Sequence, residues 1–186
     1  MNMLYERLSF RYAYAFLNVF LDKISINDAR EIYDIHKSFM QNKKLTFFLE
    51  IQSITIEKKV ELISKLFSKN KAIEPLKQLL TLLLEQKRGV LFVICLKYIW
   101  WLFQERTNTL FFNITSSDQL SRSEQQNIKD FLEHISRKKV VYELNQDKSL
   151  IAGIRMQSDQ LLWEYSVKKL LRSIDQEFKV RKVDGN

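Results

Sequence analysis

Leu4, Leu8, Tyr12, Ala15, Phe16, Val19 and Phe20 lie three or four positions apart, so they share one side of a helix running from about Leu4 to Leu21. Ser25 or Asn27 can cap a second helix that presents Ile32, Ile35 and Phe39 on one face. A short third segment covers Leu45 to Ile51. Thr55 opens a fourth, with Ile56, Val60, Ile63 and Phe67 aligned. Pro75 suits the first turn of a fifth helix, Pro75 to Gln86, because its missing N–H costs nothing there. Gly89 is placed to end that helix. A sixth, from about Val90 to Thr107, is apolar nearly all round and reads as a buried core helix.

The pattern then changes from helical spacing to β-branched and aromatic runs. Leu110 to Thr115 predicts a strand. Ser121-Arg122-Ser123-Glu124 is a capping box, and the helix it opens carries Ile128, Phe131, Leu132 and Ile135 on one face. Lys138 to Leu144 and Leu150 to Met156 read as strands, with Gln146-Asp147-Lys148-Ser149 as the polar turn between them. Val167, Leu170, Leu171, Ile174 and Phe178 outline a last amphipathic helix. The expected architecture is mainly α: an antiparallel N-terminal six-helix bundle, then a small α+β C-terminal domain with a short sheet. The boundary falls near Glu105 to Asn108, giving domains 1–107 and 108–186.

Composition agrees with that picture. The chain has 186 residues with only three glycines and one proline, as expected of long helices joined by short polar loops. A formal net charge of +8 points to acidic partners, whether nucleic acid, an anionic membrane surface or an acidic protein, although lysine-rich coding gives the same excess. Cys95 stands alone in the apolar run Val93-Ile94-Cys95-Leu96, so it reads as a small buried hydrophobe in a reducing compartment. Arg11 interrupts the first apolar run and argues against a signal peptide. The most hydrophobic stretch, Val90 to Phe103, is shorter than the ~20 residues of a spanning helix and contains Lys97.

The chemistry of catalysis is missing. Gly89, Gly153 and Gly185 are too dispersed for a phosphate-binding loop. His36 and His134 have no second ligand at metal spacing and read as solvated helix residues. Glu57 and Glu61 share a face with Lys58 and Lys65 nearby, an ordinary charged surface. No catalytic, cofactor-binding or metal site is expected. Arg11-Tyr12-Ala13-Tyr14 and Lys97-Tyr98-Ile99-Trp100-Trp101 interleave basic and aromatic residues as nucleic-acid binders do, but Trp100 and Trp101 lie in the most apolar helix.

Three motifs resemble the δ subunit of the F-type ATP synthase, the oligomycin sensitivity-conferring protein of mitochondria. Arg11-Tyr12-Ala13-Tyr14-Ala15-Phe16 is similar to the family's R-Y-A-x-A-[LF] opening helix. Leu83-Leu84-Glu85-Gln86-Lys87-Arg88-Gly89 resembles its L-x-x-N-x-R segment, with Lys87 where asparagine is common. Lys139-Val140-Val141, Asp147-Lys148-Ser149-Leu150-Ile151-Ala152-Gly153-Ile154-Arg155 and Ser166-Val167-Lys168 follow K-V-x…D-x-S-[LV]-[IM]-[AG]-G-[IV]-x…D-x-S-V-[RK]. Glu164 and Tyr165 replace the usual acidic–glycine pair, so a wider turn is expected there.

The resemblance implies a non-catalytic stator subunit linking the catalytic head to the peripheral stalk. It places α-subunit N-terminal helices on Tyr12, Ala15, Phe16 and Val19 of the first helix and Leu76, Leu79, Leu80 and Leu83 of the fifth. It places the end of the stalk's b subunit on the C-terminal domain, with Val167, Leu170, Leu171 and Ile174 as candidates. It also implies no cofactor, no nucleic acid, and a membrane reached only through the complex, at the cytoplasmic face of a bacterial plasma membrane. The alternative is a basic all-α RNA-binding module of the antitermination-factor type, which the bundle alone would support.

Overall fold

The computed structural model describes residues 3–67, 73–159 and 161–167. The chain divides into two compact units, Met1–Thr107 and Asn108–Asn186. Among the described residues the fold is mainly helical with a small four-stranded sheet. Of the described α-helices, six belong to the first unit and a seventh to the second.

In the first unit α1 spans Met3–Phe20, α2 Ile26–Gln41, α3 Lys43–Glu50, α4 Ile56–Leu66, α5 Ile73–Glu85 and α6 Leu91–Thr107. Helix α6 is the hub: it packs against α1, α2 and α5, while α4 packs on α5. Its apolar sequence follows from that position, since a helix enclosed by others needs no polar face. Leu91, Phe92, Cys95, Leu96, Ile99 and Phe103 are all buried.

Local chemistry sets the helix ends. Ser25 caps α2, and Asp28 returns the bond to the Ser25 N–H in a full capping box. Thr55 precedes α4 but makes no side-chain cap. Helix α5 begins two residues before Pro75 and ends at Glu85. Its terminus is not formed by Gly89. Lys87 takes the left-handed conformation at φ 55°. The Arg88 N–H then donates to Leu83 O at 2.7 Å and the Lys87 N–H to Leu84 O at 3.0 Å, a Schellman closure. Gly89 serves packing instead: a Cβ there would lie 2.9 Å from Leu84 Cδ2 and 3.2 Å from Leu49 O.

In the second unit β1 (Thr109–Ser116) leads to α7 (Arg122–Ser136), β2 (Lys139–Gln146), β3 (Gly153–Gln157) and β4 (Leu162–Ser166). The sheet order is β2-β1-β3-β4. The expected turn between the second and third strands is therefore not a hairpin: β1 lies between them, parallel to β2 and antiparallel to β3. Leu110, Phe112, Ile114, Val140 and Met156 form one core with Leu132 of α7.

The Asp147–Gly153 connection carries the tightest backbone. Asp147 caps a short 3-10 turn through Ser149, and the Ala152 N–H donates to Leu150 O at 2.8 Å across Ile151 at φ 67° and ψ −61°, a γ-turn. Gly153 follows at φ 118°, exchanging backbone contacts with Ser117, whose hydroxyl accepts its N–H at 3.2 Å. Glu164 and Tyr165 do not form a turn; they lie within β4, with Glu164 paired to Arg155 at 3.2 Å. The last predicted helix lies outside the described residues beyond Val167.

Candidate functional site

On α1, Leu4, Leu8, Tyr12, Ala15 and Val19 line one stripe, separate from the Ser9, Ala13, Phe16 and Leu17 face that enters the bundle. Val19 is 64% exposed and Leu4 57%, Ala15 is also exposed, and Tyr12 is half-buried. The Arg88 guanidinium, just past α5, donates to the Tyr12 hydroxyl at 2.9 Å. That bond ties the stripe to the C-terminal end of α5.

The other candidates on these helices are buried. Phe16, Leu76, Leu79, Leu80 and Leu83 fall at or below 6% exposure. Helix α5 has one strongly apolar side, and that side closes onto α4 and α6. Helical spacing reveals an apolar face but not whether the bundle has already used it. Leu82, on the opposite side of α5, is 45% exposed.

The aromatic residues of α1 and α6 largely engage each other. Phe10 meets Tyr98 edge-on at 5.6 Å and stacks on Tyr14 at 6.3 Å, and the Arg106 guanidinium lies 4.2 Å from the Tyr14 centroid. Tyr98 donates to Glu6 at 2.5 Å, and that bond, aided by burial, pushes its phenol up to about 12. Burial likewise pushes the Cys95 thiol up to about 12, leaving it a packed, unreactive group.

Two basic residues depart from the sequence reading. His36 is half-buried, stacked on Tyr33 at 5.7 Å, with Nδ1 donating to Val93 O at 2.9 Å. It is not a solvated residue, and its pKa is lowered, chiefly by burial. The basic run Lys58-Lys59 reads from sequence as solvated, yet the Lys59 side chain is buried and its ammonium donates to Leu49 O at 2.8 Å. Helical spacing held the signal: Lys59 lies three positions after Ile56 and four before Ile63, on the apolar face of α4, whereas Lys58 falls on the other side. By contrast Lys65 pairs with Glu61 at 2.6 Å on an exposed face, as an ordinary charged surface would.

In the second unit Val167 is 39% exposed, with its N–H donating to Ala152 O at 2.9 Å. Leu170, Leu171 and Ile174 lie outside the described residues. Sequence spacing put Ile128 and Leu132 on one face of α7 together with Phe131 and Ile135. The latter two are exposed, because Leu132 and Ile128 suffice to meet the narrow sheet. Phe131 instead meets Trp163 of β4 at 5.4 Å, producing an apolar surface that no motif marked. Among the described residues no group of three or more His, Cys, Asp or Glu side chains could hold a metal ion. No helix among them is long and apolar enough to cross a membrane.

Known proteins place the chain. The sequence model of the ATP synthase delta (OSCP) subunit family matches residues 8–178. The ATP synthase subunit delta of Mycoplasma pneumoniae (strain ATCC 29342 / M129 / Subtype 1) is 31% identical over 84 residues, 45% of this chain. The chain spans about half the length of that relative, 47%. In the cryo-EM structure of the Toxoplasma gondii mitochondrial ATP synthase hexamer, one chain shares the fold at a TM-score of 0.55 and 15% identity. That likeness covers 92% of this chain and 97% of the other.

Proposed function

The chain belongs to the ATP synthase delta (OSCP) subunit family, a non-catalytic subunit of the synthase, and from that membership we propose that it is the stator link between catalytic head and peripheral stalk. In this reading residues 1–107 receive N-terminal helical segments of the α subunits. Residues 108–186 receive the end of the b subunit. The chain resists rotor torque mechanically and reaches the membrane only through the complex, on the cytoplasmic face in a bacterium.

The observation that carries the reading is the apolar stripe of α1, with Ala15 and Val19 open and Tyr12 held by Arg88. A helix laid along it would bury apolar positions at helical spacing, the chemistry of helix-in-groove binding. Phe16, Leu76, Leu79, Leu80 and Leu83 then support the groove from below. On the C-terminal unit, Phe131, Trp163 and Val167 supply the described apolar surface for the stalk, and Leu170, Leu171 and Ile174 remain candidates. The RNA-binding alternative gains nothing here, since Tyr14 is already engaged by Phe10 and Arg106.

Co-purification of full-length variants with the other synthase subunits tests the assignment. Val19→Asp should lose the head and keep the stalk, while Phe131→Asp should do the reverse. Retention of both partners by both variants would sink it.

A further inference from the structure

Between the end of α3, the start of α4 and the α5–α6 turn lies a cavity of about 470 Å³. Ile54, Ile56, Leu84 and Val90 give it apolar walls, and Lys59 is its buried cation, only 5% exposed. We propose that this cavity binds a carboxylate carried on a short apolar stem, with the Lys59 ammonium as its counter-ion. The inference is independent of the stator reading.

The argument starts from what Lys59 leaves undone. An ammonium has three N–H donors. One is used, on Leu49 O at 2.8 Å. Glu50 and Glu85 line the same cavity, yet neither forms an ion pair with Lys59 among the described residues. Capping the last carbonyls of α3 accounts for one bond, and a neutral glutamine could make it without burying a charge. Burial lowers the Lys59 pKa with no carboxylate to counter it, so the fold holds the cation at a cost that an entering anion would offset.

The lining then selects the anion. Buried Lys59 and exposed Lys87 face the two rim carboxylates Glu50 and Glu85, a near-neutral balance that favours a monoanion over a phosphate dianion. The four aliphatic walls favour a hydrocarbon stem over a polar one. Gly89 keeps the floor open, because a Cβ there would press within 3.2 Å of the carbonyl that Lys59 holds. Such a carboxylate could arrive as a free small acid or on a docked segment of a partner chain. The chemistry of recognition is the same.

Hexanoate is the probe, with 1-hexanol as its uncharged counterpart, each titrated into the full chain while the Gly89 and Leu49 amide resonances are followed. Hexanoate should give saturable shifts that hexanol does not. Lys59→Met should weaken hexanoate at least tenfold, and Lys59→Arg should retain most of the affinity. Absence of saturable shifts, equal shifts from hexanol, or undiminished binding to a folded Lys59→Met chain would each overturn the site. The comparison of hexanoate with hexanol needs no variant, so it decides even if Lys59→Met does not fold. Saturating hexanoate added to the chain assembled with the catalytic head identifies the source: displacement points to a carboxylate of the head, and retention to a free acid.

Discussion

Arg88 donates to the Tyr12 hydroxyl at 2.9 Å although 76 positions separate them in the chain. The bond joins the open stripe of α1 to the turn that closes α5, so it fixes the spacing of two helices that make few other contacts with each other. Both side chains are at least partly solvated, which limits its strength. A double-mutant cycle with Tyr12→Phe and Arg88→Met should give a coupling of about 0.5–1 kcal/mol in urea denaturation. Under the proposed head-binding role, the same variants should weaken an α-subunit N-terminal peptide more than they weaken the fold. A coupling of zero would show that the contact is not held in solution.

Lys87 and Gly89 have exchanged the roles their residue types suggest. Lys87 occupies the left-handed position at φ 55°, where Cβ is crowded. Lys87→Asn or Lys87→Gly should therefore stabilise the chain by up to about 1 kcal/mol. Gly89→Ala should destabilise it by about 1–3 kcal/mol, because its methyl would meet Leu84 and the Leu49 carbonyl. Thermal melts of the three variants give opposite signs if this assignment is right. A destabilising Lys87→Asn would contradict it.

Ser9 lies fully buried in α1 with its hydroxyl unpartnered among the described residues, while its backbone carbonyl accepts from Cys95 Sγ at 3.6 Å. A desolvated hydroxyl without a partner costs more than the small volume it fills. Ser9→Ala should stabilise the fold by about 1 kcal/mol, read as a rise in melting temperature. A lower melting temperature would mean that the hydroxyl finds a partner the structure does not contain.

These positions also mark how far the sequence can be read. Local signals were legible: the spacing that made α1 and α2, the Ser121–Glu124 capping box, and the largely apolar α6 each depend on residues a few positions apart. What stayed hidden was non-local. The insertion of β1 between β2 and β3 is decided by pairing across the sheet, and no short pattern encodes it. Tyr165 sits in β4 opposite Ile154, although the motif there suggested a turn. The candidate groove was half legible for the same reason. Tyr12, Ala15 and Val19 remain accessible, whereas Leu76, Leu80 and Leu83 have the same apolar character but were claimed by α4 and α6.

His36 gives the chain a pH-sensitive point in the bundle. Burial lowers its pKa below the ordinary value, partly opposed by the bond to Val93 O and reinforced by Lys97 and Lys37. A carbonyl can only accept, so Nδ1 carries the proton and Nε2 is bare in the neutral ring. Well above pH ~6.5 the ring is neutral in both folded and unfolded chains and adds no pH dependence. As the pH falls below that value the unfolded chain takes up a proton that the folded chain resists, so stability must decline. Glu61 and Glu124, held low by Lys65 and Ser121, act only below about pH 4.5, so among the shifted groups of the described residues the interval between falls to His36. Urea midpoints measured from pH 8 to pH 5 should be level and then fall below about 6.5, and His36→Asn should flatten that fall. An unchanged slope in the variant would place the titrating group elsewhere.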